Sequence, residues 1–371
     1  MQALDHSYRV LYSELAQRAL DAQFTTEFSI EGRFITQEVS GRRYWYFDTA
    51  KPEGGGKKRR YVGPVDDEAI TSRVEHFKDL KADHKMRRKL VSTLVREAYL
   101  PQPDRLAGDV IQALAEAGFF RLRGVLVGTT AFHVYSALLG VRLNQANMVT
   151  GDADFAQFHS ISVAVEDAIP PVLDVLREVD ETFREVPHQA DGRRSTQFRA
   201  RSGYKVEFLT PNTGSSDHDG RPAPMPALGG SAAEPLRFLD FLIHAPRRAV
   251  LLHGAGVPVL VPAPERYAVH KLIVASRRRQ DGDSAAKADK DRAQALALMT
   301  ALVATRNVAD LADVWMEARD RGVAWREAID SSMAALAPKD WESIRVSMAK
   351  AMKKIGADPD RYGLADPQSD I

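Results

Sequence analysis

Val125-Leu126-Val127-Gly128-Thr129-Thr130 and, further along, Thr150-Gly151-Asp152-Ala153-Asp154-Phe155 are the two stretches whose reading decides the fold. A short apolar run ended by glycine reads as a buried strand that feeds a helix, expected over Thr129 to Leu139. The second stretch reads as the next strand. Residues i and i+2 of a strand share a face, so the Asp152 and Asp154 carboxylates project side by side. Two such carboxylates repel unless a cation sits between them. With no cysteine in the chain and no histidine-ligand motif beside the pair, hard oxygen ligands point to Mg²⁺ or Mn²⁺. Upstream, Gly128 opens a helix whose first backbone N–H groups can hold phosphate, with the Thr129 and Thr130 hydroxyls in reach. A phosphate cradle beside a metal pair implies a nucleoside triphosphate. The plainer alternative makes Asp152 and Asp154 exposed turn acids.

Apolar strand, Gly128-Thr129, helix and Asp152-x-Asp154 together resemble the core pattern of the DNA polymerase β-like nucleotidyltransferase superfamily. In that family a later strand supplies a third carboxylate, and Glu207 within Val206-Glu207-Phe208-Leu209 is the matching candidate; a surface acid paired with Lys205 or Arg201 is the alternative. The resemblance implies that Asp152 and Asp154 bind both metals, and that Glu207 helps hold the metal nearest the attacking hydroxyl and takes its proton. Thr129 departs from the usual Ser or Gly, and the interval from Gly128 to Asp152 is longer than the common pattern. The layout looks like an uncharacterised bacterial branch related to abortive-infection (AbiEii-type) toxins, across roughly residues 104–305. In that branch a proline-flanked strand end leads to a helix bearing a lysine, matched here by Pro264 and Lys271, and then to Lys287, Lys290 and Asp291. Lys271 is thereby a candidate triphosphate contact, against the common reading of a helix lysine as a solvated side chain.

Working outward, the fold class is α+β: a mixed sheet with flanking helices, an N-terminal β-hairpin and helix module, and an all-α C-terminal domain. The expected boundaries are 1–103, 104–263 and 264–371. The first part opens with a helix from Asp5 to Ala22, followed by three antiparallel strands ending at Gly63-Pro64. A long helix is expected from Asp66 to Tyr99, with Ile70, Val74, Phe77 and Leu80 on one face, until Pro101 and Pro103 break it. In the core, strands are expected near Ile161–Val165, Thr182–Val186, Thr196–Arg201 and Tyr204–Leu209. Residues 210–235, rich in Pro, Gly, Ser and Asp, read as a long mobile loop. A hairpin over Arg248–Val261 precedes the C-terminal helices, which carry a polar break at Gln280–Ala286.

The chain has 371 residues, 44% hydrophobic and 27% charged, enough for two or three cores and inconsistent with disorder as its main state. Absence of cysteine excludes disulfides, thiol catalysis and Cys-ligated metals together. Charges at Asp5, Arg9 and Glu14 interrupt any N-terminal apolar run and no stretch is long enough to span a bilayer, so a cytoplasmic location without membrane contact is expected. Net charge is +1, but its distribution is uneven. Residues 51–100 carry 13 basic and 8 acidic side chains, residues 151–200 carry 5 and 10, and residues 247–292 carry 10 and 5, so two basic segments flank the acidic one.

Arg42-Arg43-Tyr44-Trp45-Tyr46-Phe47 and Lys57-Lys58-Arg59-Arg60-Tyr61 interleave cations with aromatics, the mixture that holds phosphates and stacks bases of single-stranded nucleic acid. Packing aromatics on a sheet with a soluble basic edge is the alternative, and alternation allows either Tyr44 with Tyr46 or Trp45 with Phe47 in the core. Lys85-Met86-Arg87-Arg88-Lys89 adds positive charge, and Arg277-Arg278-Arg279 reads as a polyanion contact or as favourable charge at a helix end. His133 and His270 have apolar neighbours and receive no role. The expected function is metal-dependent transfer of a nucleoside monophosphate from an NTP to a hydroxyl of RNA (tRNA favoured), a protein or a small molecule. A toxin or defence role with an antitoxin partner follows from the resemblance alone. Two alternatives stay open: a non-catalytic nucleic-acid-binding protein on a degenerate scaffold, and an antibiotic-type small-molecule nucleotidyltransferase.

Overall fold

The computed structural model describes residues 2–28, 33–48, 59–75, 77, 84–143, 151–165, 167–212, 220–278 and 282–365. Lys57, Lys58, Arg279, and the loop residues Asn144, Asn147 and Thr150 lie outside these, as do 213–219 of the expected loop and 280–281 of the polar break.

The chain starts with β1 (Gln2–Ala3) and α1 (His6–Glu27). Next, β2 (Arg33–Val39), β3 (Arg42–Asp48) and β4 (Arg59–Pro64) form an antiparallel sheet in that order. Val39 pairs with Arg42, so Ser40-Gly41 is the whole turn, and both residues take the positive φ (51° and 75°) that a two-residue hairpin demands. Alternation holds in β3, with Tyr44 and Tyr46 on one side and Trp45 and Phe47 on the other, but both faces are covered, so Tyr46 and Phe47 are both buried. The bulge opposite Trp45 and Tyr46 lies in β4, where Val62 is the extra residue. Phe47 joins Phe28, Phe34 and Phe77 on one side, with centroids of Phe28 and Phe47 4.8 Å apart; Tyr46 and Tyr61 join the main core on the other.

Of the helix expected from Asp66 to Tyr99, the described residues hold α2 (Glu68–Glu75) and α3 (His84–Arg96), while Leu80 lies outside them. Phe77 packs its ring against Phe34. In α3, Arg87 is buried and donates to the Ala255 carbonyl at 3.2 Å, while Lys85, Arg88 and Lys89 are exposed. Helices α1 and α3 share a small core with Val250 and Leu252, and the Tyr12 hydroxyl accepts from the Val250 N–H at 3.0 Å.

The central part begins with α4 (Arg105–Glu116), whose N-terminus is capped by Asp104 accepting the Ala107 N–H at 3.0 Å. It continues through β5 (Val125–Val127), α5 (Gly128–Leu139), β6 (Val141–Arg142), β7 (Asp152–Ala156), α6 (His159–Ala164) and α7 (Val172–Val179). Then come β8 (Arg184–Pro187), β9 (Ser195–Arg199), β10 (Lys205–Pro211), β11 (Ala223–Pro224), β12 (Ala232–Leu236), α8 (Leu239–Leu242) and the hairpin β13 (Arg247–Leu251) and β14 (Val257–Val261). The long interval after Gly128 carries β6, which pairs with β1. Residues Ile161–Val165, expected as a strand, are largely the helix α6; the Ser162 hydroxyl thereby accepts the Ala227 N–H at 3.0 Å inside the protein.

The main sheet is mixed, ordered β11-β12-β10-β7-β5, with β9 also on β10 and β8 on β9. β7 and β10 run parallel with Asp154 opposite Glu207, and β10 and β12 run parallel with Leu209 opposite Glu234. Registered residues of neighbouring strands share a face. One face of the sheet therefore presents Asp152, Asp154, Glu207 and Glu234, while Ala153, Phe155, Val206 and Phe208 are fully buried on the other. There the Phe155 and Phe208 rings stack at 5.6 Å and Phe119 meets both edge-on.

The remainder is helical: α9 (Pro264–Arg277), α10 (Gly282–Ala304), α11 (Val308–Asp320), α12 (Val323–Ala334) and α13 (Pro338–Lys354). α9 packs on α10, α11 and α12. A continuous apolar core runs from Ala107 on α4 to Leu364 beyond α13, so sheet and C-terminal helices share one interior. Among the described residues no helix is long and apolar enough to cross a membrane.

Candidate active site

Between the acidic face of the main sheet and the helices α9 and α10 lies a cavity of about 630 Å³, lined by Gly128, Thr129, Asp152, Asp154, Glu207 and Lys271 among others. Six of the seven residues expected from sequence thus meet in one place. The seventh, Thr130, is buried on the first turn of α5 and donates its hydroxyl to the Asp152 carbonyl at 3.2 Å. Its contact braces the strand that carries Asp152.

Gly128 sits at φ 65°, in the left-handed region, and a Cβ there would lie 2.2 Å from Asp154 Oδ2. Both backbone shape and close approach therefore require glycine. The turn is held from the far side by Tyr267 on α9, whose hydroxyl donates to the Gly128 carbonyl at 2.9 Å. Placing Gly128 against Asp154 puts the start of α5, with its unpaired N–H groups, beside the carboxylates.

Burial, then the Asp152 and Glu207 carboxylates, pushes Asp154 up to about 7, with Lys271 and Arg278 opposing the rise. Glu207 is raised by burial, then by Glu234 and Asp152, with Lys205 opposing. Negative charge is thus concentrated where it is costly, as in a site that awaits a cation. An all-oxygen acidic set suits a hard divalent ion, although among the described residues no three His, Asp or Glu side chains are close enough to form a ready-made metal cluster.

The facing wall is basic. Asp291 on α10, 2% exposed, accepts from Lys271 Nζ and from Arg278 Nε, both at 2.6 Å. Buried Asp291 and Lys271, with half-buried Arg278, thus fix two cations at the cavity wall. Lys287 and Lys290 line the same wall, and Lys290 is lowered by its own burial and by Lys271. His270 also lines the cavity, and burial with neighbouring Lys271 lowers it to about 4.

Sequence reasoning missed Glu234. It lies on β12, inside the stretch read as a mobile loop, and its Oε2 accepts from His188 Nε2 at 2.8 Å. The apolar end of the cavity, formed by Leu236, Phe238 and Leu242, follows directly after that stretch and was missed too. The single signal there is Ala232-Ala233-Glu234-Pro235-Leu236, an acid among small apolar residues.

A nucleotidyltransferase family model matches residues 105–320, more than half of the chain and the span that holds every residue of the cavity named above. A search of curated proteins and one of solved structures each found no match. Nucleotidyl transfer, with an NTP and a divalent metal, is the chemistry of the matched family. From its sheet, its glycine turn and this match, the chain belongs to the nucleotidyltransferase family.

Proposed function

We propose that this protein transfers a nucleoside monophosphate from an NTP to a hydroxyl acceptor at the cavity between the main sheet and α9–α10. The observation that carries the reading is the opposition of two walls: carboxylates of Asp152, Asp154 and Glu207 on one side, Lys271, Lys287 and Lys290 on the other, with the Gly128 turn between them. A metal-bound triphosphate carries both charge signs in the complementary order.

In this reading Asp152, Asp154 and Glu207 hold Mg²⁺ or Mn²⁺, which supplies charge neutralisation at the α-phosphate. The Gly128 and Thr129 backbone and the Thr129 hydroxyl hold phosphate oxygens, and Lys271 offsets the charge of the leaving pyrophosphate. An acceptor hydroxyl oxygen attacks the α-phosphorus, the bond from that phosphorus to the α–β bridging oxygen breaks, and pyrophosphate leaves. Glu207, raised by its surroundings, takes the hydroxyl proton in this reading. Alignment and charge do most of the work, so few side chains suffice.

RNA is the favoured acceptor, tRNA among RNAs, because the segments flanking the acidic one are basic. A cytoplasmic setting goes with that choice, and a defence role with an antitoxin partner is the finer reading drawn from the resemblance to abortive-infection toxins. A second reading, a nucleic-acid-binding protein on a degenerate scaffold, is favoured by the lack of a ready-made metal cluster among the described residues. Incubation with each α-labelled NTP, Mg²⁺ or Mn²⁺, and either total RNA or the protein alone separates these. Label in RNA supports the favoured acceptor, label in protein moves the reading to self-modification or protein targets, and no label with any NTP leaves the degenerate scaffold.

A further inference from the structure

A second cavity, of about 670 Å³, lies between the small N-terminal sheet and the core and shares no lining residue with the first. Its size falls in the range of ligand sites, about 300–1,000 Å³. Arg123 lines it just before β5, whereas Gly128 follows β5, so the two cavities are at opposite ends of that strand, roughly 16 Å apart at about 3.3 Å per residue.

The lining combines two kinds of side chain. Tyr44, Tyr46 and Tyr61 supply aromatic surface, with Tyr61 centred 5.8 Å from Tyr44 and 5.7 Å from Tyr46. Arg42, Arg43 and Arg123 supply charge, against Asp66 as the one acid lining the cavity among the described residues. Other arginines of this region are neutralised: Arg59 donates to Asp48 at 2.9 Å and Arg121 to Asp167 at 2.7 Å. Among the described residues Arg42, Arg43 and Arg123 form no ion pair, and Arg43 makes a side-chain hydrogen bond to Thr36 at 3.3 Å. Arg123 moreover holds φ 67°, a conformation that disfavours any side chain with a Cβ. The backbone of Arg123 closes the turn before β5, where Gly124 N–H donates to the Phe119 carbonyl and Arg123 N–H to the Phe120 carbonyl, and that turn sets the unpaired guanidinium at the edge of the cavity beside the tyrosines.

We infer that this second cavity binds single-stranded nucleic acid, with a base on the Tyr44 side chain and backbone phosphates at Arg42, Arg43 and Arg123. Planar faces with adjacent cations are what unpaired nucleotides require, and stacking tolerates any base. Duplex RNA hides its base faces and offers phosphates alone. The inference does not depend on nucleotidyl transfer, since the residues assigned to NTP and metal line the other cavity.

The test is fluorescence anisotropy of a labelled 12-nucleotide single-stranded RNA with the full chain, in EDTA and without NTP. Expected are salt-dependent binding, about ten-fold weaker for Tyr44→Ala, and a log–log salt slope smaller by about 0.7 for Arg43→Ala. Arg123→Gly is the sharpest variant: it relieves the backbone, so it weakens RNA binding while leaving unfolding stability equal or higher. Three results overturn the inference: no binding at low salt, unchanged affinity in Tyr44→Ala and Arg43→Ala, or a 12-base-pair duplex bound as tightly as the single strand. Loss of stability in Arg123→Gly without loss of binding overturns it too, because that marks a structural residue. Label transfer can fail while this binding stands, and the reverse.

Discussion

The carboxylate of Asp154 fills the space a side chain on Gly128 would need, with Oδ2 2.2 Å from the ideal Cβ position. The atom in conflict is the end of a side chain, which can swing away. Gly128→Ala therefore costs about 1–2 kcal/mol in stability from the left-handed backbone, but displaces Asp154 from the mouth of the phosphate turn. A displacement of that kind lowers transfer about 100-fold. Urea unfolding and initial rates measured side by side check this, and an unchanged rate removes Gly128 from the site.

Asp291, almost without access to water, holds buried Lys271 and the one-third-exposed Arg278. Asp291→Ala leaves two cations facing each other and should cost about 3–5 kcal/mol. The double change Asp291→Leu with Lys271→Met restores much of that stability but none of the NTP affinity. Denaturant midpoints report the first effect and NTP titration the second. Equal stability of the single and double variants contradicts the pairing.

His270 titrates near 6.5 in an unfolded chain and near 4 in the fold, lowered by burial and then Lys271, with Asp291 and Asp240 opposing. Between those values the unfolded chain carries a proton that the folded chain does not, so stability present above pH 6.5 is lost as pH falls toward 4. The loss is on the order of 3 kcal/mol, at 1.36 kcal/mol per pKa unit. His270→Gln removes this pH dependence, so the stability difference between wild type and variant is constant above pH 6.5, and the wild type loses stability relative to the variant as pH falls toward 4. Parallel curves over that range would show that His270 is not held neutral.

The local part of the site was legible because local chemistry writes it. A strand ended by Gly128 and an Asp152-x-Asp154 alternation need no knowledge of distant chain, and the structure puts both on one cavity. Glu207 was legible as a lone acid in apolar alternation, and parallel pairing sets it opposite Asp154. Glu234 was not, since β12 is short, carries Ala and Pro, and exists through pairing with β10. Ile161–Val165 alternates and is β-branched, yet forms most of α6 because contacts with residues 226–228 outweigh local preference. Tyr46 and Phe47 are both buried because the small sheet is covered on both faces, the main core on one and the cluster of Phe28 and Phe77 on the other, which alternation alone cannot tell. Lys271 was expected on phosphate; its bond to buried Asp291 depends on how α9 meets α10, which no single segment encodes.

The most direct test of the central claim compares transfer of label from α-labelled NTPs into total RNA or protein by the wild type and by Asp152→Asn/Asp154→Asn, with folding checked by circular dichroism. The account predicts label transfer that requires Mg²⁺ or Mn²⁺ and falls at least 1,000-fold, about 4 kcal/mol of barrier, in the folded double variant. Equal transfer by the two proteins, or none by the wild type with any NTP, would contradict it.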